Sequence, residues 1–124
     1  MKKLLWIGAA ALAMTVSTAA TAQAVGDWVL AQWQGGNDWY PGVVTARNGT
    51  QVTIRYDDGT FETRPANQVR AYNWRVGSNV VCRWTDGSWY AAVITAMDPG
   101  GLTISVRYAD GATQVTNTGR CRSE

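Results

Sequence analysis

The residues able to do chemistry in this chain are rings and carboxylates. Trp33, Tyr40, Tyr56 and Phe61 lie near the acidic Asp58, and a second set, Trp84, Tyr90 and Tyr108 with Asp110, follows 50 to 52 residues later. Ring faces attract cations, and an alkylated ammonium or guanidinium is bulky and weakly hydrated, so rings gathered around one carboxylate suit such a head group. The same rings laid flat and exposed would stack on sugars instead. Catalysis finds no comparable support. The chain has no His, its only lysines are Lys2 and Lys3, and no Ser stands beside a base, so both the general base and the activated nucleophile are missing. Asp57 and Asp58 are neighbours on a strand and diverge, which leaves no second carboxylate to complete an acid pair. Two thiols without an imidazole do not close a zinc site. The chain therefore reads as a non-enzyme with no cofactor and no metal.

Each of these residues has a structural role to set beside the functional one. Asp in a hairpin turn commonly serves its own backbone, which alone accounts for Asp58 and Asp110. In a small domain several aromatics are simply core, and packing is the reading for Trp28 and Trp74. Adjacent strand residues point to opposite faces, so only one of Trp39 and Tyr40 can join a ring cluster.

The elements that must position these groups are hairpins. Thr53 to Phe61 reads TIRYDDGTF and returns at Ser105 to Thr113 as SVRYADGAT. Asp-Gly between alternating strands predicts a tight turn with positive φ at both central residues. The repeat extends outward: Val25-Gly26 matches Val76-Gly77, Trp33 matches Trp84, and Trp39-Tyr40 matches Trp89-Tyr90, with length changes confined to Gly-rich turns. Strands are predicted near 27–34, 39–47, 51–57, 60–64 and 69–73, then again in the second copy. Val52, Ile54 and Tyr56 face inward in the first, and Leu102, Ile104, Val106 and Tyr108 in the second. Each copy is near the lower limit for independent folding, so its core must be dense or stapled. The aromatic link Ala71 to Arg75 predicts docked copies, while Gly119 and the polar Asn117-Thr118 predict a poorly anchored C-terminal strand.

The first residues have the grammar of an export signal: basic Lys2 and Lys3, an apolar stretch from Leu4 to Met14, and Ala22-Gln23-Ala24 as a small-x-small cleavage site. The apolar stretch is too short for a bilayer that needs roughly 20 residues, so no membrane span is expected after cleavage. The expected organisation is a signal peptide over 1–24, one unit over 25–73 and a second over 74–124, in a periplasmic or secreted protein. Removing both lysines leaves nine arginines against nine acidic residues. A neutral chain offers no electrostatic footprint for phosphate backbones, which disfavours nucleic acid as a partner. An oxidising compartment would also let Cys82 and Cys121 pair.

These segments resemble the Tudor-like or Agenet-like modules of the SH3-like barrel superfold. The resemblance is carried by Val25-Gly26-Asp27-Trp28-Val29-Leu30-Ala31-Gln32-Trp33, Trp39-Tyr40-Pro41-Gly42-Val43-Val44 and Ile54-Arg55-Tyr56-Asp57-Asp58-Gly59, and it recurs in the second copy. It implies an all-β fold of two tandem five-stranded barrels after the signal peptide. It also implies a cage for methylated lysine or arginine at Trp33, Tyr40, Tyr56, Asp58 and Phe61. The second copy keeps Trp84, Tyr90, Tyr108 and Asp110 but has Thr113 where the first has Phe61, so the first cage is expected to be the complete one. First and last strands are neighbours in such barrels, which would place Cys82 opposite Cys121 as Ala31 lies opposite Val69. The function expected is a non-catalytic binding module of the cell envelope, taking a peptide or small cationic group through the first barrel. The alternatives are a carbohydrate- or peptidoglycan-binding module, with exposed coplanar rings, and a structural protein–protein adaptor.

Overall fold

The structure is a computed structural model that describes residues 23–124; all but the last two residues of the predicted signal segment lie outside the described residues. Ten strands follow in order: β1 Trp28–Gln32, β2 Trp39–Asn48, β3 Gln51–Tyr56, β4 Phe61–Pro65, β5 Val69–Ala71, β6 Asn79–Arg83, β7 Trp89–Met97, β8 Thr103–Tyr108, β9 Thr113–Asn117 and β10 Cys121–Arg122. They form two five-stranded antiparallel sheets, ordered β4-β3-β2-β1-β5 and β9-β8-β7-β6-β10. The second order is the first, repeated. The described residues are thus all-β, in two tandem units of the topology that the sequence resemblance implied.

Alternation explains the cores. Val29, Ala31, Val44, Val52, Ile54, Tyr56 and Val69 bury into one cluster, which gathers inward residues from β1, β2, β3 and β5 as only a curled sheet can. Between Val29 and Ala31, Leu30 points the other way and is equally buried, because it packs into the second unit's cluster with Val80, Ile94, Ile104 and Val106. Strand β1 is therefore apolar on both faces, and the two units share it as a wall. The link contributes Trp74 to the same cluster, with the Tyr72 ring tilted against it at 5.7 Å between ring centroids.

Cys82 and Cys121 are bonded, with Cα atoms 4.1 Å apart, directly opposed in the β6–β10 register. The same register puts Ala31 opposite Val69 in the first unit. One copy closes its first and last strands with an apolar pair and the other with a covalent bond.

Three expectations need correction. Leu102 is 52% exposed: it precedes β8 at the Gly100–Gly101 turn, before the strand's alternation begins. Asp58 and Asp110 do not take positive φ; only Gly59 (φ 93°) and Gly111 (φ 91°) do. Gly59 N donates to Tyr56 O at 2.9 Å and Tyr56 N to Thr60 O at 2.8 Å, with the same pair between Tyr108 and Ala112. This is a type I turn followed by a left-handed glycine, the three-residue hairpin loop, rather than the two-residue turn that Asp-Gly predicts. Finally, Thr118 near the C-terminus is buried, and its hydroxyl donates to Asp57 Oδ2 at 2.6 Å, so this polar segment is anchored to the first unit.

Candidate functional site: two aromatic mouths

The hairpin ends of each unit gather its rings. In the first unit Trp33 rests on a 3-10 turn over Trp33–Gly35, Tyr40 lies at the start of β2, and Tyr56 ends β3. Tyr40 meets Trp33 at 6.1 Å and Tyr56 at 6.3 Å, with ring planes inclined by 64° and 79°. With Asp58 and Thr60 they line a cavity of about 330 Å³. Val52 and Ile54 are fully buried in the core of the same unit.

Phe61 does not join them. It stands opposite Arg55 in the β3–β4 register, and opposed residues share a face, whereas Tyr56 is next to Arg55 and points to the other face. Phe61 is accordingly 64% exposed. Thr113 stands opposite Arg107 in the same way, so the exchange of Phe61 for Thr113 leaves the second mouth unchanged.

The other wall of the first mouth belongs to the second unit. Arg83, Trp89 and Arg122 complete the cavity. Arg122 donates from Nη1 to Tyr40 Oη at 3.1 Å, pairs with Asp38 at 3.4 Å and stacks 4.2 Å from the centre of the Trp89 ring. Its counterpart Arg70 stacks on Trp39 at 4.0 Å, so the arginine–tryptophan pair is part of the repeated design. The first ring cluster thus already faces cations of its own chain. Its carboxylates are also engaged. Asp58 Oδ1 accepts the backbone N–H of Thr60 at 2.9 Å and its hydroxyl at 2.7 Å. Glu62 accepts the Tyr56 hydroxyl at 2.8 Å and the N–H of Gln34 at 2.9 and 3.0 Å. Burial, then the bond to Glu62, pushes the Tyr56 phenol far above its ordinary value, so it stays a neutral donor.

The second mouth is built differently. Trp84 and Tyr108 meet edge to face at 5.3 Å and 85°, and Tyr90 meets Tyr108 at 6.4 Å and 89°. These three rings, with Asp86, Asp110 and three alanines at 91, 109 and 112, line a cavity of about 430 Å³ without a basic residue. The small alanines leave the ring faces open. Tyr108 is buried and donates to Gln114 Oε1, where the first unit has Glu62, and Tyr90 is 45% exposed at the rim.

Asp86 is the site residue that the repeat pattern does not single out. Thr85-Asp86-Gly87 repeats the build of the other two turns: Gly87 N donates to Trp84 O and Trp84 N to Ser88 O, both at 2.9 Å. Its signal in the sequence is a third Asp-Gly following an aromatic. Comparison with the first unit masks it, because there Gln34 to Asp38 is one residue longer and folds as a 3-10 turn. Asp86 Oδ1 accepts the N–H of Ser88 at 2.9 Å and Oδ2 accepts the Tyr90 hydroxyl at 2.8 Å. These bonds, the backbone one first, hold its carboxyl below the usual range, and the same contact raises the Tyr90 phenol. Asp110 accepts the N–H of Ala112 at 2.9 Å. Each carboxylate serves its turn, as Asp58 does in the first mouth, and also lines the cavity. Among the described residues no group of His, Cys, Asp and Glu gathers to hold a metal ion, and no helix is long and apolar enough to cross a membrane.

Fold and site together define a class: a tandem of two five-stranded all-β units, each with an aromatic mouth at its hairpin ends. No family model and no curated protein matches the chain. Among solved structures, the crystal structure of ADCP1 tandem Agenet domain 3-4 is similar over 91% of this chain and 88% of that one, at 18% identity and a TM-score of 0.40. That of Arabidopsis thaliana AGDP1 AGD34 is similar over 91% and 90%, at 17% identity and a TM-score of 0.41. The fold assignment itself rests on the strand order and register described above.

Proposed function

We propose that this protein is a non-catalytic binding module whose second unit takes an alkylated ammonium or guanidinium group carried by a peptide, and that it acts after export, in the periplasm or outside the cell. One observation carries the reading: the Tyr108 ring stands nearly perpendicular to both Trp84 and Tyr90, and these rings share one open cavity with two carboxylates and, among the described residues, no basic side chain. A sugar platform needs rings lying coplanar and exposed, and the buried Tyr108, set across both Trp84 and Tyr90, makes a walled corner instead. The first mouth, with Arg122 bonded to Tyr40, suits this ligand less well than the sequence resemblance implied. Export draws support from the Cys82–Cys121 bond, since such bonds persist in oxidising compartments.

Titration of tryptophan fluorescence separates the alternatives. Tetramethylammonium and a trimethyllysine peptide should give saturable changes that Trp84→Ala removes, while unmodified lysine peptide and chitin or peptidoglycan fragments give none. Saturation by the glycans alone would overturn the reading.

A further inference from the structure

The two mouths stand back to back. Arg83 and Trp89 oppose each other across the β6–β7 hairpin and line the first, whereas their chain neighbours Trp84 and Tyr90 line the second. Strand alternation sends each adjacent pair to opposite faces, so one hairpin is the partition between two sites of different chemistry.

The charge of the first mouth is the reverse of the second. Of its two guanidiniums, Arg122 is paired with Asp38. Arg83 makes no ion pair among the described residues, and its closest bond is a long one, 3.4 Å from Nε to Gly87 O. Its guanidinium lies 5.5 Å from the centre of the Trp89 ring, and the residue is exposed. The one carboxylate that lines the cavity, Asp58, is bonded to Thr60 through Oδ1, so two guanidiniums stand against one carboxylate. Arg83 is thus an exposed arginine with unused donors beside the Trp89 ring, and a guanidinium presents paired N–H groups that match a carboxylate.

We infer that the first mouth is a carboxylate site, and that the peptide whose cation enters the second mouth carries an acidic side chain across the hairpin. Extended chain advances by about 3.3 Å per residue, so the spacing of the two groups along the peptide reads the length of the path around the hairpin. The carboxylate site stands on the geometry of Arg83; only its union with a cation on one peptide rests on the proposed function.

The test uses the whole protein and three series of capped peptides, each compared at the spacing that binds best. One carries trimethyllysine with glutamate at graded spacings from it, one has glutamine in place of that glutamate, and one has acetyl-lysine in place of the trimethyllysine. The trimethyllysine–glutamate peptide should bind about tenfold more tightly than its glutamine partner, the scale of one charge-assisted hydrogen bond. Arg83→Gln should erase that preference. Equal binding of the glutamate and glutamine peptides, or a preference that survives Arg83→Gln, would overturn the carboxylate site without touching the second mouth. Glutamate preference that persists when acetyl-lysine binds as well as trimethyllysine would leave the carboxylate site standing and sink the cation reading. Binding of none of the three would overturn both.

Discussion

Arg122 of the last strand donates a hydrogen bond to the Tyr40 hydroxyl of the second strand at 3.1 Å, joining residues 82 positions apart. The contact fastens one unit to the other. It sits beside the backbone pairing of Trp39 with Ser123, where N–H to carbonyl bonds of 2.7 and 2.9 Å run both ways. Arg122→Ala removes the Tyr40 bond, the Asp38 pair and the stack on Trp89 together. Stability to urea should fall by about 1–2 kcal/mol, the scale of one partly exposed cation–π contact plus one ordinary net hydrogen bond. Arg122→Lys should recover only part of it, because an ammonium cannot keep the planar stack and the directed donors at once. An unchanged urea midpoint would show that the contact contributes nothing.

The Cys82–Cys121 bond closes a loop of sequence separation 39. Chain-entropy arguments value such a closure at about 4 kcal/mol. Cys82→Ser should therefore open the second unit preferentially. Native-state hydrogen exchange should show the amides of β6, β8 and β9 losing protection more than those of β3 and β4. Equal loss in both units would mean that the shared wall at Leu30 couples them into one cooperative block.

Asp57 gives a pH dependence with a definite sign. Desolvation at the contact between units raises its carboxyl above 3.8, against the hydrogen bond from Thr118 and the charge of Arg55, which lower it, while Asp58 adds to the rise. A carboxyl whose folded pKa is raised binds its proton more tightly in the folded state. Its contribution is fully present below the unfolded pKa and is lost as pH rises through the folded one. The wild type should thus gain stability relative to Asp57→Asn as pH falls toward 4, read as the difference between their urea midpoints. The lowered Asp86 carboxyl acts in the opposite sense in both proteins and cancels from that difference. A difference that is flat between pH 7 and 4 would contradict the assignment.

Much of this fold and site is legible in local sequence pattern. Alternation places Val52, Ile54 and Tyr56 inward, and the repeat offset aligns Val69 with Cys121, which sits opposite Cys82 once the resemblance makes first and last strands neighbours. Tyr56 and Tyr108 are recognisable as ring-cluster residues because each ends an alternating strand at a turn. What is not legible is non-local or depends on register. Phe61 is two residues past the glycine of a turn, and its face follows from a three-residue loop that Asp-Gly alone does not specify. The entry of Arg122 and Trp89 into the first mouth follows from how the units dock, which no single segment encodes. Leu30 reads as one more residue of β1, yet it serves the other unit's core.

The second mouth should depend on its rings and on the Asp86 carboxylate to different degrees. Trp84→Ala and Tyr90→Ala should each weaken binding of a trimethyllysine peptide by about 1 kcal/mol or more, the scale of a lost cation–π contact with its burial. Asp86→Asn removes charge but leaves the Tyr90 hydroxyl an acceptor, so it should weaken binding less than Trp84→Ala and reduce its sensitivity to salt. Calorimetric titration at low and high ionic strength reads both. Full affinity in all three variants would place the ligand elsewhere.

The most direct test of cation binding in the second mouth is to follow the indole N–H resonances of the protein while tetramethylammonium is added. Trp84 lines the second mouth, whereas Trp33 and Trp89 line the first, so each cavity carries its own reporter. A saturable shift at Trp84 is expected, with Trp33 and Trp89 unmoved. Saturation at Trp33 and Trp89 with Trp84 silent would contradict the proposed site, and would return the cation to the mouth that Arg122 already occupies.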